Sequence, residues 1–391
     1  MSELHWFDNT TSRSVVQLPH SIEAIVADWQ TIRLRMIRQV HPDFTRSEWA
    51  YLIQFIDSDH LRSVFTSTFG SPSAQTDHPD RLLAPRKRIA IWLPNNVSLL
   101  GPLTLILLSL IGSDTHVKTG SRSRDLSAAL FKWLGKESPA GKLRHWLLEN
   151  LQIESFNRFD KRNADAALWA DARIFFGGDS AAQDIEKLDH PTDSIGFYFS
   201  HKVSECWIDT ESANEVTAMN LAKVFGIYGQ AGCTSPKRVF LMDGTQHQAQ
   251  AFAQLLRDAW TMAVPEKQPR NVASETFMAS QWASANGLHT IPLGQNSALA
   301  ILCPPGPLPI QAHMAIAIQY GTPDQAIKTA PNNLQTIGHA LADTGGTDWI
   351  TRLSSTHAVR FVPIAAMHDF GPIWDGESWW RNLFTTKILS S

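Results

Sequence analysis

The sequence at residues 88–118 is RIAIWLPNNVSLLGPLTLILLSLIGSDTHVK, and its pattern of apolar residues predicts the first elements of the fold. Arg88–Leu93 predicts a buried strand, residues 97–111 predict a helix, and Thr115–Lys118 predicts a second strand. The apolar run Val97–Gly112 spans about 16 residues and is interrupted by a Gly-Pro pair, whereas about 18 to 20 apolar residues are needed to cross a bilayer. We therefore expect a helix that is buried in a protein core.

The alternation of strands and helices continues beyond this stretch. The next predicted elements are helices over Ser123–Leu134 and 140–151, a strand over Ala172–Phe176, and a helix from about Ser180. A second alternation begins near Ile195, with helices over Glu211–Tyr228 and Thr245–Val264 and strands at Arg238–Leu241, near Ala298 and at Met314–Gln319. Such alternation predicts doubly wound parallel sheets, which bind ligands at the carboxyl ends of their strands.

The composition narrows the class of protein. The 391 residues include 34 basic and 37 acidic side chains, for a formal net charge of −3, and 43% are hydrophobic. These values favour a globular protein of two domains, or of one domain with a large insertion, and argue against a disordered chain or a nucleic-acid binder. Three cysteines without regular spacing predict neither a disulfide framework nor a metal site, and Met1–Asp8 lacks the apolar segment of a signal peptide. We therefore expect a cytoplasmic protein.

Cys233 lies in the loop YGQAGCTSPK, residues 228–237. The preceding helix ends at Gly229 and the strand Arg238–Leu241 follows, so small residues hold a thiol at the end of an element, where substrate reaches it. Backbone N–H groups in such a loop are suited to stabilising an oxyanion. The alternative is a buried, inert cysteine, and this is what we predict for the other two cysteines, Cys206 and Cys303, each in an apolar strand.

Four blocks of sequence occur in one joint order. They are WLPNNVSLLG at 92–101, VKTGSR at 117–122, FFGGD at 175–179 and GQAGCTSP at 229–236, with WDG at 374–376 in support. In this order they resemble the LuxC-type acyl-CoA reductases of the aldehyde dehydrogenase superfamily. The resemblance implies an aldehyde dehydrogenase-like α/β fold, in which a Rossmann-type domain binds a dinucleotide and a second α/β domain carries the cysteine.

The same resemblance implies a division of the chain. We expect residues 1–80 to form an N-terminal elaboration and residues 81–197, with part of the C-terminal tail, to form an NADP-binding domain. Residues 198–365 would form the catalytic domain and residues 366–391 a C-terminal segment. The tryptophans of that segment either line an acyl pocket, close over the cofactor or pack as part of a docked tail.

The resemblance also implies a reaction. The Cys233 thiolate attacks an acyl thioester, expels CoA or a carrier thiol, and retains the acyl group as a covalent thioester. Hydride from a nicotinamide then releases an aldehyde. Asn96 matches the side-chain amide that serves the superfamily as an oxyanion donor, with Asn95 close behind. The alternative for this pair is a helix N-cap or a turn.

The cofactor assignment rests on two of the blocks. Lys118 falls where the superfamily contacts the adenosine ribose, and Ser121 stands where NAD-preferring members carry a glutamate. Because that carboxylate is missing and Arg122 and Arg124 lie beside the position, the site should accept a 2'-phosphate, and NADPH (NADP+) is the predicted cofactor. The alternative is that the arginines solvate a helix start.

Gly177-Gly178 allows close backbone approach to the phosphates, with a plain turn as the alternative.

One departure from ordinary aldehyde dehydrogenases concerns the general base. Their glutamate precedes a Gly-Gly-Lys segment, whereas the corresponding stretch in this chain, GFYFSHK at 196–202, has no carboxylate. A base that activates water would hydrolyse the acyl-enzyme, so its absence favours a reductase. His201 is a candidate to deprotonate Cys233 or to protonate the leaving group. The alternative is a histidine that is merely exposed or hydrogen-bonded.

The sequence therefore predicts NADPH-dependent reduction of acyl-CoA or a carrier-bound acyl group to an aldehyde. Two alternatives keep the fold, namely a CoA-acylating aldehyde dehydrogenase and an acyl phosphate reductase. Two others are a cofactor-free acyltransferase and a non-catalytic partner subunit. The resemblance also implies an acyl-activating enzyme as a partner and assembly into a homo-oligomer, and we expect no bound metal, nucleic acid or membrane span.

Overall fold

The computed structural model describes residues 2–9, 12–75, 78–94, 96–120, 126–226, 230–264, 270–294, 298–307, 312–342 and 347–389. The chain divides into two compact units, the first formed by residues 1–200 with 370–391 and the second by residues 201–369. The end of the chain thus returns to the unit in which the chain begins. Residues 1–80 belong to the same unit as the strands that follow them.

Helices and strands alternate through most of both units. The first unit contains β1 (Glu3–Asp8), β2 (Arg13–Leu18), α1 (Ile22–Arg38), α2 (Arg46–Phe55), α3 (Ser58–Phe69), β3 (Ser71–Pro72), β4 (Arg81–Pro85), β5 (Arg88–Trp92), α4 (Leu100–Ser109), β6 (Asp114–Thr119), α5 (Leu126–Glu137), α6 (Lys142–Glu149), β7 (Leu151–Ser155), α7 (Arg162–Trp169), β8 (Ala172–Phe176), α8 (Asp179–Glu186) and β9 (Ile195–Phe199). The second unit contains β10 (Val203–Asp209), α9 (Glu215–Gly226), β11 (Pro236–Met242), α10 (Gln246–Ala263), α11 (Arg270–Ala285), β12 (His289–Leu293), β13 (Ala298–Leu302), β14 (Ala315–Gly321), α12 (Pro323–Lys328), β15 (Leu334–Ala340), α13 (Thr347–Ser354), β16 (Arg360–Pro363) and a 3-10 turn (Ile364–Ala366). The returning chain adds α14 (Trp379–Asn382) and β17 (Phe384–Ile388) to the first unit.

A parallel sheet in the order β7-β6-β5-β8-β9 forms the centre of the first unit. The order reverses between β5 and β8, as in a doubly wound sheet. Every residue of α4 is buried, which confirms the predicted core helix. An added Cβ at Gly101 would overlap the side chains of Leu93 and Ser127, so glycine allows α4 to approach its neighbours closely.

A second sheet of the first unit, β17-β4-β2-β1-β3, joins the two ends of the chain. Strand β17 pairs antiparallel with β4, which in turn lies parallel to β2. Trp379 and Trp380 beside it are completely buried, and the Trp380 indole N–H donates to the Leu107 carbonyl at 3.1 Å. Trp379 and Trp380 therefore pack as part of a docked tail, which is one of the three alternatives considered for the C-terminal tryptophans.

The second unit is built on a seven-stranded sheet in the order β12-β13-β14-β11-β10-β15-β16. All neighbouring strands are parallel except β12 and β13. The predicted strand at Arg238–Leu241 is confirmed as part of β11, and the predicted helix over Thr245–Val264 is α10, with Thr245 as its N-cap. Strand β11 lies near the middle of the sheet, so the loop that precedes it is attached to the core.

The structure differs from the sequence-based expectations in several places, and five elements of the second unit that the pattern does not predict are α11, β12, α12, β15 and α13. The pattern of residues 1–80 predicts helices and a polar loop, whereas the structure begins with β1 and β2, and neither β7 nor α7 is predicted. β7 is an edge strand whose residues are all half-buried or exposed, and its short polar pattern merges with the helix predicted at 140–151, which ends at Glu149. The second strand–helix alternation is predicted to begin near Ile195, but the strand there, β9, belongs to the sheet of the first unit, and the second sheet begins with β10.

Within the described ranges, no helix combines the length and the apolar character that crossing a membrane requires.

Candidate active site

Cys233 lies in a tight turn between α9 and β11, where the Ser235 N–H donates to the Gly232 carbonyl at 3.0 Å. The residue is half-buried, whereas the other two cysteines are buried. Cys206 lies inside β10, as predicted, and Cys303 directly follows β13. Burial raises the pKa of both of these thiols above the usual range. Cys233 is thus the thiol best placed to meet a substrate.

Gln230 anchors the start of the cysteine loop. Its backbone is left-handed, with φ of 61°, which is uncommon for a residue other than glycine. Its buried side chain donates to the carbonyls of Pro236 (2.8 Å) and Ala315 (2.9 Å) and accepts from the Ala315 N–H at 3.2 Å. These three bonds tie the loop to β11 and β14 and hold the backbone in its strained conformation.

Cys233 and its neighbour Thr234 are held by two further side chains. The Ser204 hydroxyl donates to the Cys233 carbonyl at 2.7 Å. The Thr234 hydroxyl lies 2.7 Å from His368 Nδ1, and His368 Nε2 lies 2.8 Å from the Val224 carbonyl. Because a carbonyl only accepts, Nε2 carries the proton and Nδ1 accepts from Thr234. Sequence analysis did not identify His368. The only local signal for it is that a histidine stands in an otherwise mostly apolar segment, just before the chain returns to the first unit at residue 370.

The pKa of two groups near the loop is displaced by burial. Burial lowers the pKa of His368 to about 4, with a smaller contribution from the positive charge of Arg360. Burial also lowers the pKa of Lys237 to about 8, against a smaller opposing effect of Glu275. The Lys237 amine donates to the Gln230 carbonyl at 3.4 Å. The loop therefore rests on a neutral imidazole and on a buried amine.

His201 lies between β9 and β10 and is exposed. The next carboxylate along the chain, Glu205, is buried in an ion pair with Arg238, with 2.6 Å between Nη2 and Oε2. Glu205 is thus committed to a structural contact and is not placed to act as a general base. The catalytic role of His201 remains a prediction.

Asn96 lies in a bend before α4, and its side chain is exposed. The N-cap of α4 is Leu99, so Asn96 does not cap this helix. Nearby, the Ser98 hydroxyl donates to Glu48 at 2.5 Å. Asn95 lies outside the described residues. The role of Asn96 as an oxyanion donor remains a prediction.

The first unit contains a cavity of about 410 Å³ over β5, β6, β7 and α7. Its floor includes Trp92, Lys118 and Glu154, which lie side by side in register on three adjacent strands. On one wall the Trp169 indole stacks on His116, with ring centroids 3.8 Å apart. Burial lowers the pKa of the Lys118 amine. The cavity thus places a half-buried cation near the carboxyl ends of parallel strands, and a flat aromatic surface farther back along the sheet, at His116 in the middle of β6.

Arg162, the first residue of α7, also lines this cavity. Its guanidinium pairs with Asp160 at 2.8 Å and with Glu154 at 3.3 Å, and it lies over the Phe156 ring at 4.3 Å. Asp165 adds a further carboxylate to the lining. The predicted contacts Ser121 and Arg122 lie outside the described residues.

Gly177-Gly178 follows β8. The Gly177 N–H donates to the Phe199 carbonyl at 3.1 Å, and an added Cβ there would lie 2.8 Å from the Phe175 ring. Gly178 is the N-cap of α8, and a Cβ added at this position would meet no atom of the described residues within 4 Å. Close packing thus explains why residue 177 is a glycine but does not explain the glycine at 178. The contact of Gly177 and Gly178 with the phosphates remains a prediction. No cluster of metal-binding side chains occurs in the part of the chain that the structure describes.

The family model of acyl-CoA reductase (LuxC) matches residues 23–283, two thirds of the chain, including the cavity and the cysteine loop. The chain belongs to the acyl-CoA reductase (LuxC) family. The resemblance predicted from the four blocks is confirmed, and the match begins earlier, within α1. Membership makes this protein an oxidoreductase that acts on acyl or aldehyde groups. Among curated proteins, none is significantly similar in sequence.

Solved structures, aldehyde dehydrogenases among them, resemble this member of the LuxC family. A mutant of proline utilization A from Bradyrhizobium japonicum is 11% identical, with a TM-score of 0.66, and the alignment covers 95% of this chain and 43% of that one. The P. syringae indole-3-acetaldehyde dehydrogenase AldA, a mutant in complex with NAD+ and IAA, is 9% identical, with a TM-score of 0.65 and coverages of 95% and 85%. An NAD-dependent benzaldehyde dehydrogenase from Corynebacterium glutamicum is 10% identical, with a TM-score of 0.63 and coverages of 94% and 83%. This confirms the aldehyde dehydrogenase-like α/β fold.

Proposed function

We propose that this protein reduces an acyl thioester, carried on CoA or on a carrier protein, to an aldehyde at the expense of NADPH. Cys233 is the nucleophile. The observation that carries the proposal is the half-buried thiol of Cys233 in a loop held by several side chains, in a chain whose other two cysteines are buried. Family membership supports the same reaction class.

The first step is an acyl transfer. The Cys233 thiolate attacks the thioester carbonyl, a new C–S bond forms to the enzyme, and the C–S bond to the leaving thiol breaks. The leaving thiolate takes up a proton, for which His201 is the proposed donor. Asn96 and the backbone N–H groups of the cysteine loop are the proposed donors to the oxyanion, and removal of one such donor typically costs about a hundred- to a thousand-fold in rate.

The second step is reductive. The reduced cofactor, when bound, supplies hydride to the acyl carbon. The resulting tetrahedral adduct on Cys233 then collapses, which releases the aldehyde and restores the thiolate. The carboxylate that follows the 196–202 stretch, that of Glu205, is buried in its ion pair, and this supports reduction over hydrolysis because the group is not available to activate water.

The cavity of the first unit fits the adenosine end of a dinucleotide. Its volume lies within the range of about 300 to 1,000 Å³ of small-ligand pockets. Its lining includes Trp92 and Lys118 near the carboxyl ends of β5 and β6, the side on which doubly wound sheets bind nucleotides. The aromatic wall of His116 and Trp169 suits a flat base. Lys118 would contact the ribose, and the glycines at 177 and 178 would lie under the phosphates.

The preference for NADPH rests on Ser121 in place of a glutamate and on the cations Arg122 and Arg124. The described lining by itself is balanced in charge, with Lys118 and Arg162 against Glu154 and Asp165. Arg162 is already paired. Selectivity for the 2'-phosphate would thus come from the residues that follow Lys118.

An acyl-activating enzyme as a partner and a homo-oligomeric assembly are part of the proposal.

The test is intact mass spectrometry of the wild type and of Cys233→Ala after mixing with a panel of acyl-CoAs. We expect a single acyl adduct on the wild type and none on the variant. Cys303→Ala is the matched control, since it removes a buried thiol and should acylate like the wild type. NADPH or NADH is then added and absorbance at the nicotinamide band is followed, with NADPH expected to discharge the adduct to aldehyde faster.

Three results would overturn parts of the proposal. An adduct that neither nucleotide discharges would indicate an acyltransferase. Faster discharge by NADH would correct the cofactor. If no adduct forms with acyl-CoA, carrier-bound acyl groups or acyl phosphates, the reductase assignment fails and a binding subunit takes its place.

A further inference from the structure

The peptide that joins Cys233 to Thr234 is held from both of its ends. Its carbonyl accepts from the Ser204 hydroxyl of β10, and the side chain of Thr234 donates to His368. In a trans peptide the C=O and N–H bonds point in opposite directions. Fixing the carbonyl of Cys233 therefore also fixes the direction of the Thr234 N–H, the amide closest to the sulfur on its C-terminal side.

His368 is itself anchored independently of the cysteine loop. The Arg360 guanidinium donates to the carbonyls of Met367 at 3.2 Å, Ala366 at 3.4 Å and Asp369 at 3.1 Å. The Met367 side chain is completely buried, and its sulfur lies 3.5 Å from Cys206 Sγ. The imidazole is therefore a fixed point of the sheet core against which the loop is positioned.

The imidazole also bridges two elements. Nε2 donates to the Val224 carbonyl near the end of α9, and Nδ1 accepts from Thr234, so both ring nitrogens are engaged. The lowered pKa of His368 keeps the ring neutral near pH 7, and this preserves the acceptor at Nδ1. The contact spans 134 residues of sequence.

We propose that His368 and Ser204 are positioning residues that orient the Cys233–Thr234 peptide and thereby the nucleophile. This inference rests on the proposed function of Cys233. Misplacement of a reacting group by about 1 Å costs up to about a hundredfold in rate. Loss of the clamp should thus slow acylation and leave substrate affinity nearly unchanged.

The test compares Thr234→Val, which removes the hydroxyl with little change in shape, with Thr234→Ser, which retains it. We expect the valine variant to be acylated by acyl-CoA at least about tenfold more slowly than the wild type, with KM little changed, and the serine variant to retain most of the rate. The alkylation of Cys233 by iodoacetamide, followed against pH, should move to higher pH in the valine variant only. This second readout requires no acyl donor, so it stands even if the proposed reaction fails.

A second pair of variants addresses the imidazole. His368→Gln should reproduce the effect of Thr234→Val. The control is His339→Gln, which changes a histidine of β15 that stacks on Phe361 and should leave the rates of acylation and of alkylation unchanged. Thermal unfolding of each variant separates loss of fold from loss of positioning. The inference is wrong if Thr234→Val matches the wild type in the alkylation profile, or if Thr234→Ser loses as much as Thr234→Val.

Discussion

His368 shows how burial at a single residue links stability to pH. Its pKa is lowered to about 4 from the ordinary value of 6.5, first by desolvation and then by the charge of Arg360, while the bond to Val224 opposes the shift. His368 is therefore protonated near pH 6.5 in the unfolded chain but only near pH 4 in the folded chain. The contribution to stability is complete above about pH 6.5 and is lost as the pH falls toward 4.

We predict that His368→Gln flattens the acid limb of the stability curve of the second unit. The displacement of the pKa corresponds to about 3 kcal/mol between neutral pH and pH 4. Urea unfolding of the wild type and the variant at several pH values measures the difference. Since burial also lowers the pKa of His20, His116 and His339, both proteins lose stability in acid, and only their difference reports His368. Parallel curves would contradict the assignment.

At the scale of elements, the central strands β10, β11 and β14 are joined by a buried polar network. Arg238 bonds to Glu205, to the Gln319 side chain at 3.1 Å and to the Thr329 hydroxyl at 2.7 Å. The Trp207 indole N–H donates to the other oxygen of Glu205 at 2.7 Å. The charges are thus matched by hydrogen bonds from several strands, and this is the condition under which a buried ion pair is tolerated.

Glu205→Gln is expected to destabilise the second unit by about 3 to 5 kcal/mol, because it leaves the Arg238 charge buried without a counter-charge. The matched control is Glu23→Gln, which breaks the exposed pair with Arg62 at 2.7 Å and should cost no more than about 1 kcal/mol. Chemical unfolding measures both. Equal effects of the two substitutions would show that burial does not set the energetics of the pair.

At the scale of the whole molecule, the last residues complete the unit in which the chain begins. Trp380 packs against Phe65, Phe69 and Phe384, with ring centroids 5.2, 5.9 and 5.5 Å apart. Strand β17 then closes one edge of the sheet that contains β1 and β2. The core of the first unit therefore depends on residues from both ends of the sequence.

We predict that Trp380→Ala destabilises the first unit by about 3 to 5 kcal/mol, because a large aromatic side chain is removed from a packed core. Hydrogen exchange should show lost protection in peptides from residues 1–200 and none in those from 201–369. Trp380→Phe, which keeps an aromatic ring, should lose less. Equal loss of protection in both units would contradict the assignment of Trp380 to the core of the first unit.

Elements whose signal is local could be predicted from the sequence. The apolar run of α4, the buried strand β8 and the four blocks that identify the family need no partner to be recognised, because each element is buried on all sides or is marked by its own residue types. The loop of Cys233 belongs to this class, since its small residues and flanking elements are contiguous. The positions of Lys118 and Gly178 at strand ends follow from the same pattern.

Features that depend on residues far apart in the chain could not be predicted from the sequence and required the folded structure. β7 is a half-exposed edge strand that is defined by its pairing with β6, and β1 and β2 share a sheet with the C-terminal β17. The bond from Thr234 to His368 crosses 134 residues, and nothing in either segment alone points to the other. Local periodicity reflects how a segment is buried, whereas a hydrogen bond between distant side chains is a property of the packed fold. For this reason the sequence indicated Cys233 as the candidate nucleophile but not the residues that hold its loop.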